Sequence, residues 1–211
     1  MNKVRMILRY RPADRANHWL TAITFVLMAL SGLALFHPSM FFLTNLFGGG
    51  PWTRILHPFI GLVMFVSFTG LALRFWRDNL MHARDWQWLE QWRDVIGNRE
   101  DKLPEVGRYN AGQKMLFWLM IACLIALLLT GFIIWQPYFA PAFGIDLVRA
   151  AALLHALAAF GLILGIIVHI YAAIWVKGSV AAMTRGYVTH AWARKHHLAW
   201  YRRVTGDNAA K

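Results

Sequence analysis

Apolar residues gather along this chain into four long blocks, 18–36, 55–73, 115–135 and 150–176, and no Asp, Glu, Lys or Arg lies inside any of them. A hydrocarbon core about 30 Å thick takes roughly 20 apolar residues in a helix to cross. Each block reaches that length, so the pattern predicts four transmembrane helices at approximately 16–36, 53–76, 112–136 and 149–176. The expected fold is all-α: an integral membrane four-helix bundle, one membrane domain over 1–211, with residues 177–211 as a tail. FGGGPW (47–52) and QPYFAPAFG (136–144) carry the Gly and Pro of turns between antiparallel helices. Between the second and third blocks, DWQWLEQWRDVIGN places Trp88, Trp92 and Ile96 four residues apart, which predicts a short helix lying on the membrane surface. Beyond Gly178 the sequence becomes basic and aromatic, and a second interfacial helix or a dock for a partner subunit is expected there.

Charge orients the bundle. Of 22 Lys and Arg, 20 fall in 1–17, 74–114 and 177–211, and the two remaining connections hold only Arg54 and Arg149. By the positive-inside rule both termini and the long middle loop are expected to be cytoplasmic and the two short connections to lie outside. This placement also accounts for the net charge of +12 without nucleic acid as a partner. The arm MNKVRMILRYRPADR runs directly into a full-length span, so it is expected to be retained as a cytoplasmic arm. Trp19, Trp52, Trp76, Trp118, Trp135 and Trp175 sit near expected helix ends, where indole favours the headgroup zone. Only 15% of residues are charged, against about 25% in soluble domains. The single cysteine, Cys123, is mid-span and cannot form an intrachain disulfide, and no Cys-x-x-Cys-His motif is present, so any haem is held non-covalently.

Four of the nine histidines, His18, His57, His155 and His169, lie within the blocks. An ionisable residue at membrane depth is costly and marks function, and neutral imidazole is a common axial ligand of haem iron. His155 and His169 share the fourth helix, and a separation of 14 residues corresponds to about 21 Å of depth with roughly 40° of rotation. Topology supplies a partner at each level. His57 and His155 each lie a short way in from the outer end of their helices, whereas His18 and His169 lie near the inner ends. The pattern therefore predicts two bis-histidine haem sites stacked across the bilayer. The competing reading for any one of them is a packing histidine bonded to a neighbouring helix. His37, His82, His190, His196 and His197 are expected to be solvated or interfacial.

Gly32, Gly61, Gly70, Gly131, Gly161 and Gly165 would leave room for a porphyrin, or would simply let helices approach. All ten Asp and Glu are outside the blocks, so no buried acid chain of the kind used by proton pumps is present, and proton chemistry is expected at a membrane surface.

Several stretches, DRANHW (14–19), RILHPFIG (54–61), GRYNAGQK (107–114), IIWQPYFAPAF (133–143), LLHALAA (153–159), VHIYAAIWVKGS (168–179) and WARKHHLAWYR (192–202), resemble the cytochrome b (gamma) subunit of respiratory membrane-bound formate dehydrogenase. They cover nearly the whole chain in order. The resemblance implies two non-covalent b-type haems, with His18 and His169 on the inner iron and His57 and His155 on the outer. It also implies a quinone site at Asn110, Gly112 and Gln113 with His169 adjacent. Electrons would arrive from an iron–sulfur beta subunit, fed by a molybdenum-pterin alpha subunit, and leave to menaquinone near the cytoplasmic side. The chain would not oxidise formate alone, and the complex could assemble into a higher oligomer. Gln136 and Leu198 depart from the pattern, which has Arg and Pro there.

Two alternatives remain at this level. One is the cytochrome b subunit of another quinone-linked complex, a hydrogenase or a sulfur-compound reductase. A transmembrane ferric reductase is disfavoured, because it carries a histidine pair on each of two helices. The other is a transporter or scaffold whose histidines pack or bind a transition metal.

Overall fold

Where the apolar blocks fall, a computed structural model has long unbroken helices; it describes residues 5–97, 99 and 102–207. Parts of the N-terminal arm and of the tail, and Asn98 of the middle-loop motif, lie outside the described residues. In chain order the elements are β1 (Met6–Leu8), α1 (Pro12–Phe36), α2 (Gly50–Phe75), α3 (Ala83–Glu90), α4 (Trp92–Ile96), α5 (Ala111–Ile134), α6 (Ile145–Trp175), α7 (Ser179–Arg185), β2 (Tyr187–Thr189), α8 (His190–His196) and α9 (Leu198–Thr205). Helices α1, α2, α5 and α6 are long and apolar enough to cross a membrane.

All four of these helices begin before the apolar block does. α1 starts at Pro12, a residue suited to the first helical turn, and Asp14 favours that same end by accepting from the Arg11 N–H at 3.2 Å. Hydropathy marks the membrane-facing length, whereas a helix continues into the headgroup zone for as long as its backbone is satisfied. α2 accommodates Pro58, whose ring nitrogen has no proton to donate to the preceding turn. Large apolar side chains on all four helices face outward, among them Val26, Val66, Leu129 and Leu164, which suits contact with lipid.

The connection after α1 is more ordered than a simple turn: Pro38–Phe47 form a 3-10 helix, with His37 Nδ1 accepting from the Ser39 N–H at 3.2 Å. It ends in Gly48 and Gly49 at φ 86° and 96°, a backbone that side-chain-bearing residues rarely adopt. The expected surface helix of the middle loop is divided in two at Gln91, giving α3 and α4, with Trp92 and Ile96 exposed. Among its described residues the tail folds as three short helices and one strand. β1 and β2 pair antiparallel, Ile7 opposite Val188, and this small ribbon is an addition to the helical fold that the sequence pattern did not indicate.

The chain resolves into two compact units. One comprises Ala16–Leu73 and Leu119–Val168, the greater part of the four long helices, packed around Met64, Phe68, Cys123, Leu124 and Leu162. The other comprises Met1–Arg15, Arg74–Trp118 and His169–Lys211, and its core is Ala182, Val188, Ala193, Trp200 and Tyr201. Arg9 is buried in this second unit, its guanidinium 4.3 Å from the Trp200 ring centre and donating to the Arg108 carbonyl.

His197 corrects the sequence expectation: it is buried, with Nδ1 2.8 Å from the Gly107 carbonyl oxygen and Nε2 3.5 Å from Arg9 Nη2. Burial, reinforced by Arg9, pushes its pKa down to about 3 and keeps the ring neutral. The aromatic residues around it make a core, which a basic flank on the sequence conceals. His37 and His82 are exposed, and His190 and His196 are half-buried, as expected for surface or interfacial positions. Leu198, where the resemblance has Pro, is the first residue of α9, a position that either residue can fill.

Candidate functional site

Within the unit formed by Ala16–Leu73 and Leu119–Val168, His57 of α2 and His155 of α6 face one another. Their ring centres are 6.4 Å apart and the planes are inclined by 60°. Each ring is tied at its back by a hydroxyl on a neighbouring helix. His57 Nδ1 lies 2.7 Å from Ser31 Oγ of α1, and His155 Nδ1 lies 2.9 Å from Thr130 Oγ1 of α5. Each ring also rests on a glycine: a Cβ placed on Gly32 would stand 3.5 Å from His57 Cε1, and one on Gly131 would stand 3.5 Å from His155 Cε1.

The two rings line a cavity of about 530 Å³, whose walls are otherwise almost entirely apolar and include Met28, Gly61, Phe65, Leu127 and Phe132. That volume is within the usual range for a site that encloses a small organic cofactor, about 300–1,000 Å³. Arg54 and Gln136, both exposed, supply polar groups at its edge. Gly61 and Gly161, two more of the glycines singled out in the sequence, are filled from elsewhere: Met28 packs towards one and Cys123 Sγ towards the other. Gly70 faces the Asn17 side chain, which donates to the Ser67 carbonyl at 2.8 Å.

The donor set can be tested against a haem. Two imidazoles bound end-on to one metal through bonds of about 2 Å hold their ring centres roughly 6 Å apart, close to the observed 6.4 Å. Among the described residues no three His, Cys, Asp or Glu side chains gather as a metal site. A bare transition ion would find only these two imidazoles, whereas haem brings four ligands of its own and asks the chain only for axial ones. The residues present fit a bis-histidine haem.

His18, near the start of α1, belongs to the same unit, and its ring meets Trp19 edge-on at 5.5 Å between centres. His169, near the end of α6, belongs to the other unit. α6 runs from Ile145 to Trp175 and carries both His155 and His169.

Asn110, Gly112 and Gln113 stand where the chain enters α5. Asn110 and Gln113 form a reciprocal capping box: the Gln113 N–H donates to Asn110 Oδ1 at 2.9 Å, and the Asn110 N–H donates to Gln113 Oε1 at 3.0 Å. Both carboxamide oxygens are thus engaged, which leaves each amide NH2 as the group able to meet another molecule. A Cβ on Gly112 would stand 3.6 Å from the Trp88 ring, so the indole lies against the helix start. The same turn is fixed by Lys114, whose Nζ is 2.7 Å from Asp85 Oδ2 and 3.0 Å from the Leu80 carbonyl oxygen. Neither Trp88 nor Lys114 was indicated as a site neighbour by the sequence.

The chain matches the prokaryotic cytochrome b561 family over residues 9–186. It is 49% identical over 204 residues to the formate dehydrogenase cytochrome b556(fdo) subunit of Escherichia coli K12, covering 97% of this chain and 96% of that one. It is 44% identical to the nitrate-inducible formate dehydrogenase cytochrome b556(Fdn) subunit of the same organism, covering 100% and 97%. A formate dehydrogenase cytochrome b556 subunit of Haemophilus influenzae is 42% identical over 93% of this chain and 82% of its own.

Proposed function

Because the chain belongs to the prokaryotic cytochrome b561 family, and within it to the formate dehydrogenase cytochrome b subunits, we propose that it is the di-haem electron-transfer subunit of a bacterial formate dehydrogenase complex. Membership implies a b-type haem, and the observation that carries the reading further is the facing pair His57 and His155, 6.4 Å apart in an apolar cavity. One haem held by this pair and a second held by His18 and His169 would supply one-electron carriers at two levels of the membrane. The second pairing rests on depth matching in the sequence.

The chain's own residues then divide the work. His57 and His155 would bind on the outer side, where the apolar cavity wall offers water few polar partners. Arg54 at the cavity edge suits a propionate carboxylate, a role in which Gln136 contributes no charge. Asn110 and Gln113 offer amide donors to a menaquinone carbonyl, Gly112 permits close approach, and His169 completes the site on the inner side. The positive-inside distribution supports cytoplasmic termini and an inner-membrane location.

Electrons would enter from a periplasmic iron–sulfur beta subunit, fed by a molybdenum-pterin alpha subunit, and leave to menaquinone near the cytoplasm. The relatives are all subunits named for formate dehydrogenase, which favours this donor over hydrogen or a sulfur compound. Each electron crossing from outside to inside works against the membrane potential, about 2.3 kcal/mol per charge per 100 mV for a full crossing. Turnover would therefore conserve energy. The test is purification of the native complex with haem and metal analysis: two b haems per chain, reducible by formate, and co-purifying molybdenum are expected. A preparation with no reducible b-type band would overturn the reading.

A further inference from the structure

Ser31 and Thr130 are usually the kind of residue a membrane helix hides: a small hydroxyl that folds back on its own backbone. Here both do so, and both do something more. Ser31 Oγ is 2.8 Å from the Leu27 carbonyl oxygen and 2.7 Å from His57 Nδ1. Thr130 Oγ1 is 2.6 Å from the Ala126 carbonyl oxygen and 2.9 Å from His155 Nδ1. A hydroxyl has one proton, and a carbonyl oxygen can only accept. A hydroxyl that donates to its helix carbonyl presents a lone pair to the imidazole, and the Nδ1 it faces then carries the proton.

In a neutral ring with Nδ1 protonated, the lone pair is on Nε2. Both hydroxyls are buried, Ser31 at 0% and Thr130 at 4% exposure, so no bulk water competes for Nδ1 on that side. The device occurs twice with the same local sequence logic. A hydroxyl residue is followed by glycine, Ser31-Gly32 on α1 and Thr130-Gly131 on α5; the hydroxyl fixes the tautomer and the glycine gives the ring space at Cε1.

Building on the haem reading above, we propose that Ser31 and Thr130 are positioning residues that lock His57 and His155 as Nδ1–H tautomers, aim Nε2 at one iron and tune that haem's potential. A hydrogen bond from Nδ1–H makes the imidazole a more basic ligand, and such partners typically contribute 10- to 100-fold to metal affinity. A more basic ligand favours ferric over ferrous iron. Losing the bond should raise the midpoint potential and loosen the haem.

The experiment compares the complex carrying Ser31→Ala, Thr130→Val or Thr130→Ser with the unaltered complex by redox titration of each haem band and by haem retention during washing. Thr130→Val keeps the shape and removes the hydroxyl, while Thr130→Ser keeps the hydroxyl. The midpoint potential of one haem should rise in Ser31→Ala and in Thr130→Val, with about 10-fold weaker retention, while the other haem keeps its potential and Thr130→Ser matches the unaltered protein. Unchanged potential and retention in both hydroxyl-free variants would overturn the inference while leaving the haem reading intact. A His57→Ala complex that retains every haem of the unaltered protein would remove the haem reading itself, and the inference with it.

Discussion

His57 and His155 lie on different helices, nearly a hundred residues apart in the chain, yet their ring centres stand 6.4 Å from one another across an apolar cavity. Two imidazoles this close, in a wall that holds no other His, Cys, Asp or Glu side chain, have little structural reason to meet. Their Nδ1 atoms bond outward to Ser31 and Thr130, not to each other. The Nε2 atoms are what those bonds leave for chemistry.

His57→Ala or His155→Ala is expected to halve the haem content of the complex, and His18→Ala or His169→Ala to remove the other haem. Each haem needs both of its axial ligands to stay seated. Counting haem per chain, together with the reduced spectrum, separates the two classes. Loss of the same haem after His18→Ala and His57→Ala, at equal protein yield, would show that the pairing is wrong.

Lys114→Met is expected to destabilise the unit that contains it by about 3 kcal/mol, because it strands the Asp85 carboxylate next to an apolar neighbour. Both side chains are largely buried, at 6% and 11% exposure, and Nζ is 2.7 Å from Oδ2. Pairing it with Asp85→Leu should cost less than the sum of the two single changes. Chemical unfolding in detergent measures both, and additive costs would mean that the ion pair contributes no coupling.

How much of this was legible beforehand follows from the forces involved. The four long helices were, because hydrocarbon rejects charge over about 20 residues and leaves a plain gap in the sequence. Their starts were not, since a first turn such as Pro12–Arg15 is polar and satisfied by local bonds. That His57 and His155 would meet could be worked out from turn positions alone. Ser31 and Thr130 could not be picked out, as hydroxyls in apolar helices commonly bond their own backbone. The repeated hydroxyl–glycine step was the available signal. The β1–β2 ribbon and the burial of His197 under Arg9 and Trp192 depend on tertiary packing of short segments, which carry no periodicity.

His197 predicts a pH dependence with a definite sign. Folded, it stays neutral down to about 3; unfolded, a histidine takes its proton near 6.5. Between those values the unfolded chain binds more protons, so this contribution is fully present above about pH 6.5 and is lost as pH falls toward 3. His197→Asn, which can still donate to the Gly107 carbonyl, should flatten the fall in melting temperature across that window. An identical slope in the variant would assign the acid sensitivity to other groups.

The last expectation separates two roles that Asn110 combines. Its Oδ1 caps α5 by accepting from the Gln113 N–H at 2.9 Å, and the capping box would exist whether or not a quinone ever bound. Removing such a cap costs about 1 kcal/mol. The proposed quinone role uses a different atom, Nδ2, which the cap leaves available as a donor. Asn110→Asp therefore preserves the cap and removes the donor, whereas Asn110→Ala removes both. In reconstituted complex given formate, both haems should still reduce in either variant, while menaquinol formation falls at least 10-fold in both. Stability should drop only in Asn110→Ala. If Asn110→Asp forms menaquinol at the unaltered rate, Nδ2 has no part in the site, and Asn110 serves the helix alone.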